Sequence, residues 1–246
     1  AAAPEALELH LPSDFMERGR LPVVLEAIRL LKARVGGEIV VGAWVPGPFT
    51  LAMHLTEMSA MLTSVVDSPD AVGRVLDALA EVVAEVARAY REAGADFLTV
   101  HEMGGSPGYL GPGSFKKLVL PRLKRLMSAI RPSGAPRVLS VCGNTNRALP
   151  LLAEAGADAL SVDQLNDLAR SRAALGPGAL LFGNIDPIGT LANGAEADVR
   201  QAVTKAIEAG VDAIWPGCDL WPPVPAANMR ALVEAARAVA RQGPSG

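Results

Sequence analysis

Cysteine is scarce in this sequence, which has two cysteines among 246 residues. Two cysteines are too few for a disulfide-based scaffold, and neither Cys142 nor Cys218 belongs to a CxxC pair. We therefore favour thiol or metal-ligand roles in a cytoplasmic protein over a disulfide bridge. The first residues contain no charged segment followed by an apolar one, so nothing in them indicates export.

Long apolar runs and clustered positive charge are also absent. Half of the residues are hydrophobic, yet no block approaches the roughly 20 apolar residues that a membrane helix needs. The formal net charge is −3 and no Lys/Arg-rich run is present, which argues against a surface for nucleic-acid phosphates. We expect a soluble protein that acts on small molecules or proteins, with no membrane and no nucleic acid as partner.

Short β-branched segments alternate with longer helical ones, a pattern typical of parallel strands joined by helices. Three helices end in related sequences, EAGADFLTV, EAGADALSV and EAGVDAIWP. These place Gly94, Gly156 and Gly210 directly after a helix, where left-handed backbone favours glycine. No GxGxxG follows the first strand, so the repetition favours a (β/α)8 barrel over a doubly wound sheet.

Six strands are predicted, at 38–44, 96–101, 137–142, 158–162, 179–183 and 212–215. The main helices are predicted at 21–35, 70–93, 114–130, 196–209 and 225–241. No linker divides the chain, so we predict a single domain over residues 1–246. A closed barrel needs two more strands, and we predict that the first two are missing from this chain. A second subunit, as in a homodimer, is one way to cover the open edges.

Both cysteines follow predicted strands, and the loops at the carboxyl ends of barrel strands carry active sites. Alternation places Val138, Ser140 and Cys142 on one face, with Cys142 at the end of its strand. Cys218 follows the last strand, so the two thiols can converge as ligands of a metal such as zinc. The alternative is two unrelated cysteines, one buried as a small hydrophobe and one in a loop.

His101 and Glu102 end the second strand, and only one of them can point into the barrel unless the strand bulges. Either could be a metal ligand or a general base, and otherwise one faces the site while the other stabilises a loop. His54 lies in a helical run, where we expect an exposed or capping role.

Polar residues after later strands are further candidates. Asp163, Asn184 and Asp186 could bind substrate or support the site, or they could simply cap the following helices. Three tryptophans could wall a pocket or pack at its rim: Trp44, Trp215 and Trp221.

Six sequence blocks together resemble the uroporphyrinogen decarboxylase superfamily. They are VGAWVPGPFTLAMHL, GADFLTVHE, LGPGSFKKLVLPRLKRL, VCGNTNRALPLLAEAGADALSVDQ, LFGNIDP and WPGCDLWPPVPAANMRALVEAAR, and they follow the family's order from about Leu21 onward. Within the superfamily they look like the corrinoid-dependent methyltransferases of the methylcobamide:coenzyme M type. This resemblance implies an enzyme that moves a methyl group from a corrinoid, carried by a partner corrinoid protein, to a thiol or to a folate.

The resemblance also implies roles for individual residues. In these methyltransferases a His-x-Cys motif and a distant Cys bind catalytic zinc; Cys142 and Cys218 match, but Ser140 stands in place of the histidine. The implied zinc ligands are Cys142, Cys218 and Glu102, with His101 joining them if the strand bulges. Glu102 is preferred as the inward group because the family has an acidic residue there. The zinc would keep the acceptor thiol deprotonated.

The candidate site residues fall into two groups. The catalytic candidates are Glu102, Cys142 and Cys218, and the substrate-binding candidates are Asn144, Asp163, Asn184, Asp186 and Trp215. Two other functions remain open. A tetrapyrrole decarboxylase is disfavoured by Cys218 and by the lack of an N-terminal arginine motif. A non-catalytic barrel that binds a corrinoid or tetrapyrrole is the other alternative, because Ser140 is a poor zinc ligand.

Overall fold

The computed structural model describes residues 9–242, which form two compact units. The first unit comprises residues 9–139 and Glu154–Asp158, and the second comprises Ser140–Ala153 and residues 159–242. Residues 1–8 and 243–246 of the predicted domain lie outside the described residues.

The first unit contains two paired parallel strands with helices around them. In chain order its elements are α1 (Leu21–Val35), β1 (Gly42–Pro46), α2 (Pro48–Leu55), α3 (Met58–Asp67), α4 (Pro69–Glu92), β2 (Phe97–His101), α5 (Pro107–Ser114), a π-helical segment (Phe115–Val119), α6 (Leu120–Ile130) and the start of β3 (Arg137–Val141). In the register of β1 and β2, Gly42 lies beside Phe97 and Pro46 beside His101. Leu98 and Val100 share one face of β2 and are fully buried, and α4 contacts both strands.

The second unit contains the remaining strands, which run parallel in chain order from the end of β3. Its elements are α7 (Leu149–Ala153), β4 (Ala159–Val162), α8 (Leu168–Leu175), β5 (Leu180–Ile185), a second π-helical segment (Pro187–Ala192), α9 (Glu196–Glu208), β6 (Ala213–Pro216) and α10 (Ala226–Gln242). Along β5, Leu181, Gly183 and Ile185 are buried, whereas Phe182 and Asn184 are partly exposed. This alternation gives the strand an apolar face and a face available to a site.

The three related helix ends are confirmed as structural repeats. Gly94, Gly156 and Gly210 all adopt positive φ angles, of 114°, 81° and 91°. Because an L side chain is strained there, glycine ends each helix and turns the chain into the next strand.

The aspartate two residues after each of these glycines binds the beginning of the preceding strand in the chain. Asp96, Asp158 and Asp212 accept hydrogen bonds from the backbone N–H groups of Val41, Arg137 and Leu181, at 2.8, 2.8 and 2.7 Å. The backbone N–H of each aspartate also donates to the carbonyl oxygen of the residue that its carboxylate binds, at 2.7 to 2.8 Å. The repeated sequence therefore gives the same pair of hydrogen bonds at the amino-terminal ends of the strands three times.

Each of these aspartates also pairs with a cation, and the pair at Asp158 is the most buried. The Arg137 guanidinium, whose side chain is 3% exposed, donates to both carboxylate oxygens of Asp158 and to the carbonyl of Met127. Burial alone would raise the pKa of Asp158, but the hydrogen bonds from Arg137 outweigh it and hold that pKa below its ordinary value. Lys32 and Arg172 are the corresponding partners of Asp96 and Asp212.

The α/β class with parallel strands is confirmed, and the described residues hold the six strands predicted for a barrel with two strands missing. Strand β1 begins at Gly42 instead of residue 38, because β2 offers it no partner before Phe97. The helix predicted at 114–130 is divided into a π-helical segment and α6. Pro121 has no N–H for the α-helical hydrogen bond, which accounts for the irregular turn before it. None of the helices within residues 9–242 has the length and apolar character needed to cross a membrane.

Candidate functional site

Cys142 and Cys218 lie together in the second unit. Cys142 directly follows β3, Cys218 lies two residues after β6, and the structure joins their Sγ atoms as a disulfide with the Cα atoms 5.9 Å apart. Our expectation of two unbridged cysteines is therefore wrong for this structure. The reason is that the two strand ends bring the Cα atoms into the range of about 4.4–6.8 Å that disulfides span.

The backbone beside each cysteine is fixed by a glycine. Gly143 has a φ of 86°, and its N–H donates to the Asp163 carboxylate at 2.8 Å. Gly217 donates to the carbonyl of Ile185 at 2.9 Å, and a Cβ atom there would lie 2.5 Å from the backbone nitrogen of Gln164. Only glycine allows this close approach, which carries Cys218 to its place. Cys142 is 4% exposed and Cys218 is half-buried.

A buried polar network holds the turn that follows Cys142. Besides Gly143, the Asp163 carboxylate accepts the N–H of Leu165 at 2.9 Å. The Asn166 amide donates to the carbonyls of Gly143 and Asp163, both at 3.0 Å, and accepts from Thr145. Asn166 and Thr145 were not predicted as site residues. The sequence signal that could have indicated them is their position: Thr145 follows β3 and Asn166 follows the neighbouring β4, and neither is needed as a helix cap.

The other predicted substrate-binding residues have local partners. Asn184 donates to the backbone carbonyls of Asp163 and Asn166, at 3.0 and 2.9 Å. Asp186 caps the π-helical segment after β5 by accepting from the N–H groups of Ile188 and Gly189, the capping role that we considered as its alternative.

Asn144 and the tryptophans are more accessible than these. Asn144 is exposed and its Oδ1 accepts from Asn146 at 2.9 Å. Trp215 packs against Phe182 with ring centroids 5.6 Å apart, and Trp221 is 52% exposed.

Glu102 in the first unit is fully buried and caps α2. Its carboxylate accepts hydrogen bonds from four donors: the N–H groups of Phe49, Thr50 and Gly105 at 3.1, 2.9 and 3.0 Å, and the Thr50 hydroxyl at 2.6 Å. Burial raises the pKa of Glu102, and these hydrogen bonds act in the opposite direction. The Thr50 hydroxyl in turn accepts from the N–H groups of Met103 and Gly104. Glu102 thus joins the loop after β2 to the amino-terminal end of α2.

His101 ends β2 on the strand face opposite Leu98 and Val100. Its side chain is buried, and its ring meets that of Trp44 edge to face with centroids 5.9 Å apart. Trp44 itself is 59% exposed. His101 therefore occupies the end of a strand, on the face with Phe97 and Thr99, where a ligand could be reached.

A nearly apolar cavity of about 300 Å³ lies beside the Glu102 network in the first unit. Its lining combines α2 and α3 with the region after β2: Thr50, Met53, His54, Met58, Leu62, Met103, Gly104 and Tyr109. His54 is exposed in α2, as we expected. The methionines are flexible and polarisable, so the cavity suits an apolar group of adjustable shape.

Comparison with known proteins supports the resemblance found in the sequence. The family model for uroporphyrinogen decarboxylase (URO-D) matches residues 2–239. The methylcobamide:CoM methyltransferase MtaA of Methanosarcina barkeri is 31% identical over 226 residues, which cover 92% of this chain and 66% of that protein. A uroporphyrinogen decarboxylase of Syntrophotalea carbinolica is 32% identical over 214 residues, which cover 85% of this chain and 60% of that protein.

A solved structure of a methyltransferase from Methanosarcina mazei has a TM-score of 0.88 and 31% identity to this chain. The match covers 93% of this chain and 67% of that one. The chain thus spans about two-thirds or less of the length of the curated relatives described above. On the family match, supported by this shared fold, the chain belongs to the uroporphyrinogen decarboxylase (URO-D) family.

Proposed function

We propose that this protein takes part in methyl transfer from a methylated corrinoid to a thiol acceptor. The observation that carries the proposal is the pairing of Cys142 and Cys218 at strand ends, in a chain related to methylcobamide:CoM methyltransferases. A thiol of the coenzyme M kind is the acceptor that these relatives' names indicate, and a folate is the alternative. The corrinoid would be presented by a partner corrinoid protein. A homodimer and a cytoplasmic location stay predictions.

The donor chemistry of the chain fits a zinc ion. Reduction of the disulfide would yield two thiols, and Cys142 and Cys218 would then supply sulfur donors of the kind that zinc prefers. Glu102 is an unfavourable ligand, because a carboxylate turned to a metal would leave buried N–H donors without partners; His101 stays a prediction from the sequence.

The residues of the chain orient the reactants. When bound, zinc supplies the Lewis acidity that keeps an acceptor thiol deprotonated near neutral pH. The acceptor thiolate forms the new S–CH3 bond as the Co–C bond breaks, and the electron pair of the Co–C bond stays on the corrinoid cobalt.

We propose substrate contacts for Asn144, Asp186 and Trp215. Because Asp163 and Asn184 bind backbone groups, we assign them to supporting the cysteine-bearing turn.

Ser161 is an additional candidate for binding substrate. It lies on β4, its side chain is 2% exposed, and its hydroxyl has no hydrogen-bond partner among the described residues. An unpaired buried hydroxyl costs free energy, which a ligand that bonds to it would recover.

Zinc analysis combined with a demethylation assay tests this function. Reduced wild-type protein should bind about one zinc per chain and demethylate methylcobalamin with coenzyme M, other thiols or a folate as acceptor. The variant Cys142→Ser/Cys218→Ser should lose both properties, whereas Asn193→Asp, an exposed change in the same unit, should keep them. Zinc-free wild-type protein with two titratable thiols would contradict the metal site, and equal demethylation by the double variant would contradict the mechanism.

A tetrapyrrole decarboxylase is the second candidate, favoured by the 32% identity to the Syntrophotalea carbinolica enzyme. It predicts loss of carboxyl groups from uroporphyrinogen, measured chromatographically, in protein treated with a chelator. Because this activity does not need the cysteines, the double variant should retain it. The cysteine dependence of each activity thus separates the two candidates.

A further inference from the structure

We propose that Asn166 is a positioning residue that holds Cys142 in the orientation in which its sulfur binds the metal; this rests on the metal site proposed above. Asn166 lies after β4, 24 positions along the chain from Cys142, and its side chain is 5% exposed. It makes no contact with substrate in this role and acts through the backbone of the turn after β3.

The turn is held by hydrogen bonds on both sides of Gly143. The N–H of Gly143 donates to Asp163 at 2.8 Å, and its carbonyl accepts from the Asn166 amide at 3.0 Å. Two residues further on, both the N–H and the hydroxyl of Thr145 donate to the Asn166 carbonyl oxygen, at 2.8 and 3.0 Å. Because Cys142 immediately precedes this turn, the orientation of its Cα–Cβ bond follows from these contacts.

The hydrogen bonds use the full capacity of the asparagine amide. Its oxygen accepts two bonds from Thr145, and its nitrogen donates to the carbonyls of Gly143 and Asp163. Aspartate has nearly the same shape but no donor, so a carboxylate oxygen would face two carbonyl oxygens there. Asparagine at position 166 is therefore specified by chemistry as well as by size.

The hydrogen-bond network around Asn166 extends to the next strand, β5. The Asn184 amide on β5 donates to the backbone carbonyls of Asp163 and Asn166. The loop that carries Asn166 is thus tied to β5 while it holds the turn after β3. A connected and fully satisfied network of this kind restricts motion, and groups that orient metal ligands typically contribute about 10- to 100-fold to metal affinity.

The test compares Asn166→Asp with the exposed control Asn193→Asp, which makes the same charge change in the same unit. Zinc affinity of reduced protein is measured by competition with a chromophoric chelator. We expect at least a 10-fold weaker affinity for Asn166→Asp and a change of less than 2-fold for the control. Thr145→Val provides a milder variant that should still fold, with a smaller loss, and Thr145→Ser should restore the wild-type affinity.

A second measurement does not need the metal. In reduced, zinc-free protein, the rate of iodoacetamide alkylation is followed separately for Cys142 and Cys218 by peptide mass spectrometry. We expect Asn166→Asp to speed alkylation of buried Cys142 several-fold and to leave Cys218 nearly unchanged.

The outcomes separate this inference from the proposed function. Wild-type zinc binding with equal affinity in Asn166→Asp and Thr145→Val would overturn the positioning role while the metal site stood. If the wild type bound no zinc, the metal site would fail, and alkylation would decide whether Asn166 positions Cys142. An unchanged rate at Cys142 would then overturn the inference.

Discussion

The substitution Gly217→Ala tests whether the close approach of the Cys218 loop matters for the site. The new Cβ atom would lie 2.5 Å from the backbone nitrogen of Gln164 and 2.6 Å from its Oε1. Cβ atoms essentially never lie within 3.0 Å of heavy atoms that are not close to them in the chain. The backbone at residue 217 or at Gln164 must therefore shift by about 0.5 Å. A side chain could turn away, but the backbone nitrogen cannot, so the loop carrying Cys218 must move.

This displacement is large on the scale of metal coordination. Ligand distances in metal sites hold to within about 0.2 Å, so a shift of about 0.5 Å at the neighbouring residue should weaken zinc binding. We expect at least a 10-fold rise in the zinc dissociation constant, or about 1.4 kcal/mol. Chelator competition on reduced protein measures it, together with the rate at which the two thiols reoxidise to a disulfide.

Gly113→Ala is the matched control. A Cβ atom at Gly113 meets nothing within 4 Å, so this variant should bind zinc like the wild type. The reasoning is refuted if Gly217→Ala is as stable as the wild type and matches its zinc affinity and reoxidation rate. Such a result would mean that the Cys218 loop does not need its close contact with Gln164.

Three further predictions concern stability. Asp158→Asn should lower the free energy of unfolding by about 2 kcal/mol. This is less than the roughly 3–5 kcal/mol lost when a fully buried pair is broken, because the Asp158 side chain is 45% exposed. Calorimetry should show a lower Tm for Asp158→Asn than for Asp212→Asn, because Arg137 is more buried than Arg172. Because the pKa of Asp158 lies below its ordinary 3.8, its stabilising contribution is complete above that pH and is lost as the pH falls through the folded-state pKa. The Tm gap between wild type and Asp158→Asn should therefore shrink during acid titration below pH 3.8, and a constant gap would contradict the assignment. Thr50→Val should cost about 1–3 kcal/mol in denaturant unfolding, because it removes a buried donor to Glu102 and the acceptor of two partly buried N–H groups, whereas Thr50→Ser should be close to wild type.

Local patterns in the sequence were sufficient to predict much of the fold. The glycines at 94, 156 and 210 end helices as predicted, because the preference for positive φ belongs to a single residue. The strand predicted at 137–142 ends one residue earlier, so Cys142 directly follows the carboxyl end of β3. The family resemblance added the significance of the six sequence blocks and of their order along the chain, which composition alone does not specify.

Contacts between distant residues explain what the sequence did not reveal. Glu102 and Thr50 are 52 positions apart, and no local rule links a glutamate after one strand to the start of a helix after another. Asn166 was missed for the same reason, since its partners lie in a different loop. The disulfide was missed because the number and spacing of cysteines contain no information on the distance between strand ends.

The aspartate hydrogen bonds at the beginnings of the strands separate the residues that stabilise this chain from those of its candidate site. In the second unit, Asp212 precedes β6 and Cys218 follows it, so the hydrogen bond between Asp212 and Leu181 holds β5 and β6 together without a residue of the candidate site. Substitutions in the loop that carries Cys218 can therefore alter the candidate site without removing this hydrogen bond.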